Sequence, residues 1–175
     1  MQVERIEEMR LTADDEVQIN ALILAVFDDS FGDRSFHQQR HHVRLVVREA
    51  NEIIGHMAIC YRVIRLGTQL VTVAGLAEVA TSPSRRGKGI AGAMLTAAII
   101  EVERTRAKFF ILFGNRPIYA GRGFEVASNR VKYTDMMGAN TAATSLSSDN
   151  ELMVMAMGDE PWIGALPVDL LGSKF

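Results

Sequence analysis

Cysteine occurs once in this chain of 175 residues, at Cys60, so no internal disulfide can staple the fold and a hydrophobic core must hold it. Cys60 lies in an apolar strand pattern and reads as a small buried hydrophobe. No long hydrophobic run is present. The longest apolar stretch, Gly89 to Ile100, is about half a bilayer span and rich in small residues, so no membrane partner is expected. Basic excess is missing too: a net charge of −2 gives no general attraction to nucleic acid. The opening Met1-Gln2-Val3-Glu4-Arg5 carries acids where a leader peptide would be basic, and no apolar block follows, so a cytoplasmic location is expected. No metal site is expected either. His41 and His42 are adjacent, which on a strand points them to opposite faces, and no paired carboxylate or second cysteine completes a ligand set. His37 and His56 are isolated, and His56 reads as a satisfied sheet histidine.

What is present suits one compact enzyme domain spanning 1–175. Hydrophobic residues make up 48% and charged residues 23%, an ordinary balance for a soluble core, and no internal repeat or domain-scale linker interrupts the chain. Val3 to Met9 reads as a first strand. Asp14 can cap a helix reaching about Phe27, with Val17, Ala21, Leu24 and Ala25 on one face. Asp28 to His42 reads as a loop with a short helix. Val43–Arg48, Ile53–Leu66 and the strand ending at Thr81 form three antiparallel strands, turning at Ala50-Asn51-Glu52 and at Gly67-Thr68. A helix from Gly87 to about Arg104 turns Ala91, Met94, Leu95, Ala98, Ile99 and Val102 toward the sheet. Phe109–Phe113 is continuous and apolar, as a central strand buried on both faces should be. Glu125–Tyr133 and Glu151–Met157 read as further strands, with Asn140–Asn150 between them as a flexible polar loop. The total is an α+β fold: a mixed, mostly antiparallel sheet with helices on its faces.

The most informative segment is Arg85-Arg86-Gly87-Lys88-Gly89-Ile90-Ala91-Gly92, between an apolar strand stopped by Ser82-Pro83 and a long helix. Glycines let the backbone curl with N–H groups inward, and the helix start adds unsatisfied donors and a positive dipole end. Arg85, Arg86 and Lys88 raise the local potential, so the turn suits a phosphorylated ligand. The segment matches G-x-G-x-x-G, but Ser84 to Arg86 separates it from the preceding strand and no carboxylate ends the next one, as a dinucleotide site requires. A P-loop would need Ser or Thr after its lysine, and Lys88 is followed by Gly89.

The pattern R-x-x-G-x-A, met by Arg86, Gly89 and Ala91, resembles the acetyl-CoA pyrophosphate loop of the GNAT N-acetyltransferases. Downstream, Tyr119-Ala120-Gly121-Arg122-Gly123-Phe124 resembles that family's Y-x-x-x-G-F segment, after a helix start at Asn115-Arg116-Pro117. Strand, loop, helix, strand and tyrosine helix follow in the family's order. Within the family the likeness runs toward the aminoglycoside 2′-N-acetyltransferases. It passes through Phe27-Asp28-Asp29-Ser30-Phe31, His56-Met57-Ala58, Arg62-Val63-Ile64, Gly75-Leu76-Ala77-Glu78 and Ile118 to Phe124, with one residue fewer between Glu78 and Arg86. A tail with Asp169, Gly172 and Phe175 is also similar.

The resemblance implies a GNAT-like fold, acetyl-CoA as co-substrate and an amine acceptor. It places CoA contacts at Arg86, Gly87, Lys88, Gly89, Ile90, Ala91 and Gly92 and at Asn115, with the thioester beside the backbone of Val79, Ala80 and Thr81. Amide formation needs a neutral amine, a stabilised oxyanion and a protonated leaving thiolate. Tyr119 matches the family's acid, and a phenol stays protonated at neutral pH. Glu78 is the candidate base, or a carboxylate that only orients the substrate. Asp28, Asp29 and Asp33, with Trp162 and Asp169 near the tail, are candidate acceptor contacts for a small cationic amine. Each is also readable as solvated surface, and the tail could serve a homodimer interface as readily as a pocket. The competing function is a non-catalytic acyl-CoA-binding or protein-interaction domain of the same fold.

Overall fold

A computed structural model describes residues 1–27, 32–137, 140–148 and 151–175. Asp28 and Asp29, two of the anticipated acceptor contacts, lie outside the described residues. The chain forms two compact units, one of residues 1–60 and 77–101, the other of 61–76 and 102–175. Two long strands contribute residues to both.

In the first unit, β1 (Glu4–Glu7), β2 (Val43–Glu49) and the start of β3 (Glu52–Leu66) pair antiparallel in that order. The β2–β3 turn has φ +47 at Ala50 and +72 at Asn51, matching the two positive angles of a type I′ hairpin whose twist suits the flanking strands. After β1 the chain tightens into a 3-10 turn at Glu8–Arg10 instead of staying extended to Met9. Helix α1 (Ala13–Val26) is capped by Thr12 rather than Asp14. The Thr12 hydroxyl accepts from the Asp15 N–H while the Asp15 carboxylate accepts from the Thr12 N–H, a reciprocal capping box. Asp14 instead accepts from the exposed Gln18 amide.

The buried stripe differs from the one expected. Ile19, Leu22 and Ile23 enter a core with Ile6, Val46, Ile53 and Ala80, whereas Val17 is 67% and Leu24 38% exposed. Residues 19, 22, 23 and 26 follow the i, i+3, i+4, i+7 rule, and Asp15 joins them because it pairs with Arg48. Helix α2 (Ile90–Glu103) begins three residues later than Gly87, because φ is +78 at Gly87 and +77 at Gly89 and a right-handed helix cannot include them. Ile90, Met94, Leu95, Ala98 and Val102 are its buried residues. A methyl built at Gly55 would lie 2.6 Å from Ile90 and 3.0 Å from Met94, so a residue without a side chain lets the helix sit close on β3.

In the second unit, β4 (Gln69–Thr81) runs parallel to β5 (Phe109–Phe113) over Val73–Leu76. Strand β5 also pairs antiparallel with β9 (Leu152–Ala156), which pairs with the two-residue β6 (Glu125–Val126). The anticipated single strand Glu125–Tyr133 is split. Ala127 bonds back to Leu152, and the Asn129 amide is drawn to the Ile163 and Leu166 carbonyls, so pairing resumes only at β7 (Val131–Met137). The polar segment expected as a loop is strand β8 (Asn140–Ser147), antiparallel to β7; its Thr, Ala and Ser residues are small and uncharged, and polarity alone does not prevent pairing. A short strand the sequence did not announce, β10 (Val168–Asp169), lies between β7, which it parallels, and the end of β3. Helix α3 is one turn, Pro117–Ala120. Phe109, Ile111, Val154, Val131, Val168 and Leu170 form the core, with Trp162 and Phe175 against it.

Candidate active site

The glycine turn is exposed and open. A 3-10 turn at Pro83–Arg85 leads into extended Arg86, and neither Gly87 nor Gly89 has any atom within 4 Å of where a side chain would start. Buried Ile90 pins the far end. The Gly89 carbonyl accepts the first helical bond, from the Ala93 N–H, so the turn delivers the chain straight into α2, whose first N–H groups have no acceptor within the helix. Arg85 is engaged with Glu49, while Arg86 and Lys88 have no ion-pair partner among the described residues. Two basic side chains, an unobstructed glycine turn and the N-terminal end of a fourteen-residue helix therefore lie together on one exposed segment, an arrangement that favours an anion.

On β4, Glu78 has φ +52, the left-handed region, in the middle of an otherwise extended strand. Its side chain is only 4% exposed and is bound on several sides. Oε1 accepts from the His37 backbone N–H at 2.6 Å and lies 2.9 Å from His41 Nε2, off the line of a straight hydrogen bond. Oε2 accepts from Arg44 Nη1 at 3.0 Å. Arg44 is fully buried. It donates to both oxygens of Glu8 at 2.6 and 3.0 Å, and to the Ser35 carbonyl at 2.8 Å. His56 places Nδ1 2.9 Å from the Glu78 carbonyl and Nε2 3.1 Å from Arg44 Nη1. Nδ1 must therefore carry the proton and Nε2 accept, which fixes the neutral tautomer. Burial, then the Arg44 charge, push His56 down to about 3.

His41 has the opposite fate. Burial disfavours its charge, but the Cys60 sulfur at 2.9 Å from Nδ1 and then the Glu78 carboxylate overcome this and raise it to about 9. Burial likewise opposes ionisation of Glu78, and His41 and Arg44 outweigh it, holding its pKa below the usual carboxylate range. With Arg40 bridging Glu8 and Glu16, the network holds three carboxylates (Glu8, Glu16, Glu78) and three cations (Arg40, Arg44, His41), a neutral set. Val79, Ala80 and Thr81 follow directly, with Ala80 in the core and Val79 half-buried.

Sequence reasoning missed this cluster. Its available signal was Arg44, a lone charge inside the apolar run Val43-Arg44-Leu45-Val46-Val47. Cys60 is buried as expected, but as a polar partner of His41 as well as a hydrophobe. Asp33 lines a cleft of about 600 Å³ with Glu16, Asn20, Arg34 and Arg40; both signs of charge are present, and Arg40 is paired with Glu16.

In the second unit, Tyr119 is 7% exposed, on α3. Its carbonyl accepts from the Phe124 N–H at 3.2 Å and its ring meets the Phe124 edge at 6.2 Å, so Gly123, at φ +94, folds the Y-x-x-x-G-F segment back on itself. Burial raises the Tyr119 pKa, with Arg116 opposing, so the phenol stays protonated well beyond neutral pH. The Asn115 amide donates to Glu151 at 2.7 Å. Trp162 packs edge-on to Phe109 at 4.9 Å and donates to Asn129, and Asp169 accepts from the Leu171 N–H and pairs with Lys132 at 3.1 Å. Both are tied into the tail's own packing. No described helix is long and apolar enough to cross a membrane. Among the described residues no group of three or more His, Cys, Asp or Glu is placed to hold a metal ion.

A family model described as an acetyltransferase (GNAT) domain matches residues 8–127. No curated protein sequence matches the chain. Among solved structures, a GNAT family N-acetyltransferase from Escherichia coli in complex with CoA is 17% identical with a TM-score of 0.65, the match covering 97% of this chain and 90% of that one. A GNAT family acetyltransferase from Brucella melitensis in complex with acetyl-CoA is 16% identical with a TM-score of 0.61, covering 95% of each. A GCN5-related N-acetyltransferase from Anabaena variabilis is 22% identical with a TM-score of 0.60 over 74% of this chain, which spans 33% of that protein. At these identities the structural matches establish the shared fold.

Proposed function

Because this chain belongs to the GNAT acetyltransferase family, we propose that it moves an acetyl group from acetyl-CoA to a primary amine of a small cationic molecule, an aminoglycoside-like sugar being the specific class its sequence resembles. The observation that carries the reading is the open glycine turn Arg86–Gly92 at the head of α2. Two glycines at φ near +78 leave the backbone there unobstructed, and Arg86 and Lys88, with no ion-pair partner among the described residues, are free to meet a pyrophosphate.

The reaction is attack of a neutral amine on the thioester carbonyl to form the C–N bond, loss of the attacking nitrogen's extra proton to solvent, and collapse of the tetrahedral oxyanion with cleavage of the C–S bond and departure of the CoA thiolate. Tyr119, kept protonated by burial, is the proton donor for that thiolate in the family's pattern. Glu78 enters as an ionised carboxylate whose lone pairs are largely engaged, so it contributes negative charge more than an open proton acceptor. Asp33 and Glu16 line one cleft and are the described acids there that a cationic acceptor could meet, and acetyl-CoA supply makes the cytoplasm the fitting compartment.

The test is release of CoA thiol from acetyl-CoA against a panel of amines that includes aminoglycosides, polyamines and amino acids. Turnover on a cationic amine supports the reading. Tight acetyl-CoA binding with no thiol release on any amine would instead make the chain a binding domain of the same fold.

A further inference from the structure

We propose that Glu78 serves as the anchor of the break in β4, and that Arg44 and His41 are positioning residues that hold it there. The inference rests on the proposed acetyl-CoA reading for its functional readout. Every contact to Glu78 described below lies in the first unit.

The backbone comes first. A non-glycine residue at φ +52 inside a strand is held against its own preference, and such a conformation persists only where surrounding contacts over-determine it. Glu78 is held from both ends. Its carbonyl faces His56 Nδ1 at 2.9 Å, and its carboxylate takes the His37 N–H, Arg44 and the His41 contact. Arg44 cannot swing away, because its remaining donors go to Glu8 and the Ser35 carbonyl. His41 is fixed in turn by Cys60 on its far nitrogen. No other residue of β4 has positive φ, so the turn of the strand is concentrated at the residue the cluster grips.

The chemistry agrees. A general base needs a lone pair directed at the proton it removes and a pKa near the working pH. Two of the roughly four acceptor positions of this carboxylate are hydrogen-bonded, the His41 ring lies against Oε1, and these neighbours lower its basicity. What the arrangement does supply is direction for the next two peptide groups, Val79 and Ala80, which the family's pattern assigns to the thioester. Glu78 would then be needed for acetyl-CoA to seat correctly, through its backbone.

The discriminating experiment compares Glu78→Gln, Glu78→Ala and Glu78→Gly by acetyl-CoA calorimetry, by kcat and KM for both substrates, and by the pH profile of kcat. An anchor predicts that Glu78→Gln, which keeps one acceptor oxygen, stays within about tenfold of wild-type kcat and keeps the acidic limb of the profile. Glu78→Ala, with no anchor and a strained φ, should weaken acetyl-CoA binding at least tenfold. Glu78→Gly relieves the strain and so separates folding from function: folded, it should still bind acetyl-CoA more weakly than Glu78→Gln. His41→Leu should weaken binding in the same direction, and His41→Gln, which keeps a donor, should restore most of it. A fall of about a hundredfold in kcat for Glu78→Gln, with unchanged acetyl-CoA affinity and a lost acidic limb, would make Glu78 the base and overturn the proposal. Wild-type affinity in Glu78→Ala or folded Glu78→Gly would overturn it as well. If no amine supports turnover in wild-type protein, the transfer reading fails while the calorimetric arm still decides the anchor.

Discussion

Raising the pH should release the cluster around His41 and lower the stability of the fold by an amount the geometry sets. His41 is buried, touches Cys60 and Glu78 at 2.9 Å each, and has its pKa raised from 6.5 to about 9. A group whose folded pKa exceeds its unfolded value binds its proton more tightly in the native state. The stability it contributes is therefore complete below pH 6.5 and disappears as pH rises through 9. Each unit is worth about 1.4 kcal/mol, so the loss across this window is about 3 kcal/mol. Losing the His41 charge also leaves Glu78 to share Arg44 with Glu8, which Arg40 bridges to Glu16, an excess of one negative charge in the network. Urea unfolding of wild-type protein and His41→Gln at intervals from pH 6 to 10 measures it, and a Cys60→Ser background removes the thiol from the titration. Wild type should begin more stable and fall further, the two curves converging near pH 10. Parallel curves would refute the assignment of a charged His41 and with it the neutrality of the cluster.

Other perturbations test other parts of the molecule. A methyl at Gly75 would lie 2.3 Å from the Phe175 ring, so Gly75→Ala should cost about 2 kcal/mol in denaturant unfolding, with much less added cost in a Phe175→Ala background; additive effects would contradict the packing. Gly89→Val forces a β-branched residue to φ +77 in the anion turn and should weaken acetyl-CoA binding at least tenfold by calorimetry; unchanged affinity in the folded variant would remove the turn from the site. Tyr119→Phe should lower kcat on the order of 10²-fold under chemistry-limited conditions with acetyl-CoA affinity nearly intact, and wild-type turnover would return Tyr119 to packing alone.

The turn, helix α2, strands β2 to β5 and the Tyr119 segment were legible in the sequence because each is announced locally, by glycines at positive φ, by period, or by a continuous apolar run. The α1 face was misplaced because Val17, Ala21, Leu24 and Ala25 follow helical period as well as Ile19, Leu22, Ile23 and Val26 do, and only packing against Ile6, Val46 and Ile53 shows which stripe is buried. Strand β8 hid behind polar composition, since its pairing depends on β7 and not on its own hydrophobicity. The Glu78 cluster was the least legible part. Its bonds join residues up to 41 positions apart, and nothing in a local window says that Arg44 and the His37 N–H arrive at one carboxylate while Glu8 holds the other side of Arg44.

Strand β10 has a kinetic consequence. Its two residues pair with Arg65 and Leu66 on one side and with Val131 and Lys132 on the other, so a later segment is inserted between two strands that precede it in the chain. Until residues 168–169 are in place, the β7–β8 hairpin lacks its bridge to β3, and two open edges wait for a third strand. Closing that gap joins residues about a hundred positions apart, a slow loop closure that must precede any reward from pairing. Refolding should therefore show a late phase confined to the second unit, during which the open edges of β3 and β7 invite pairing between chains.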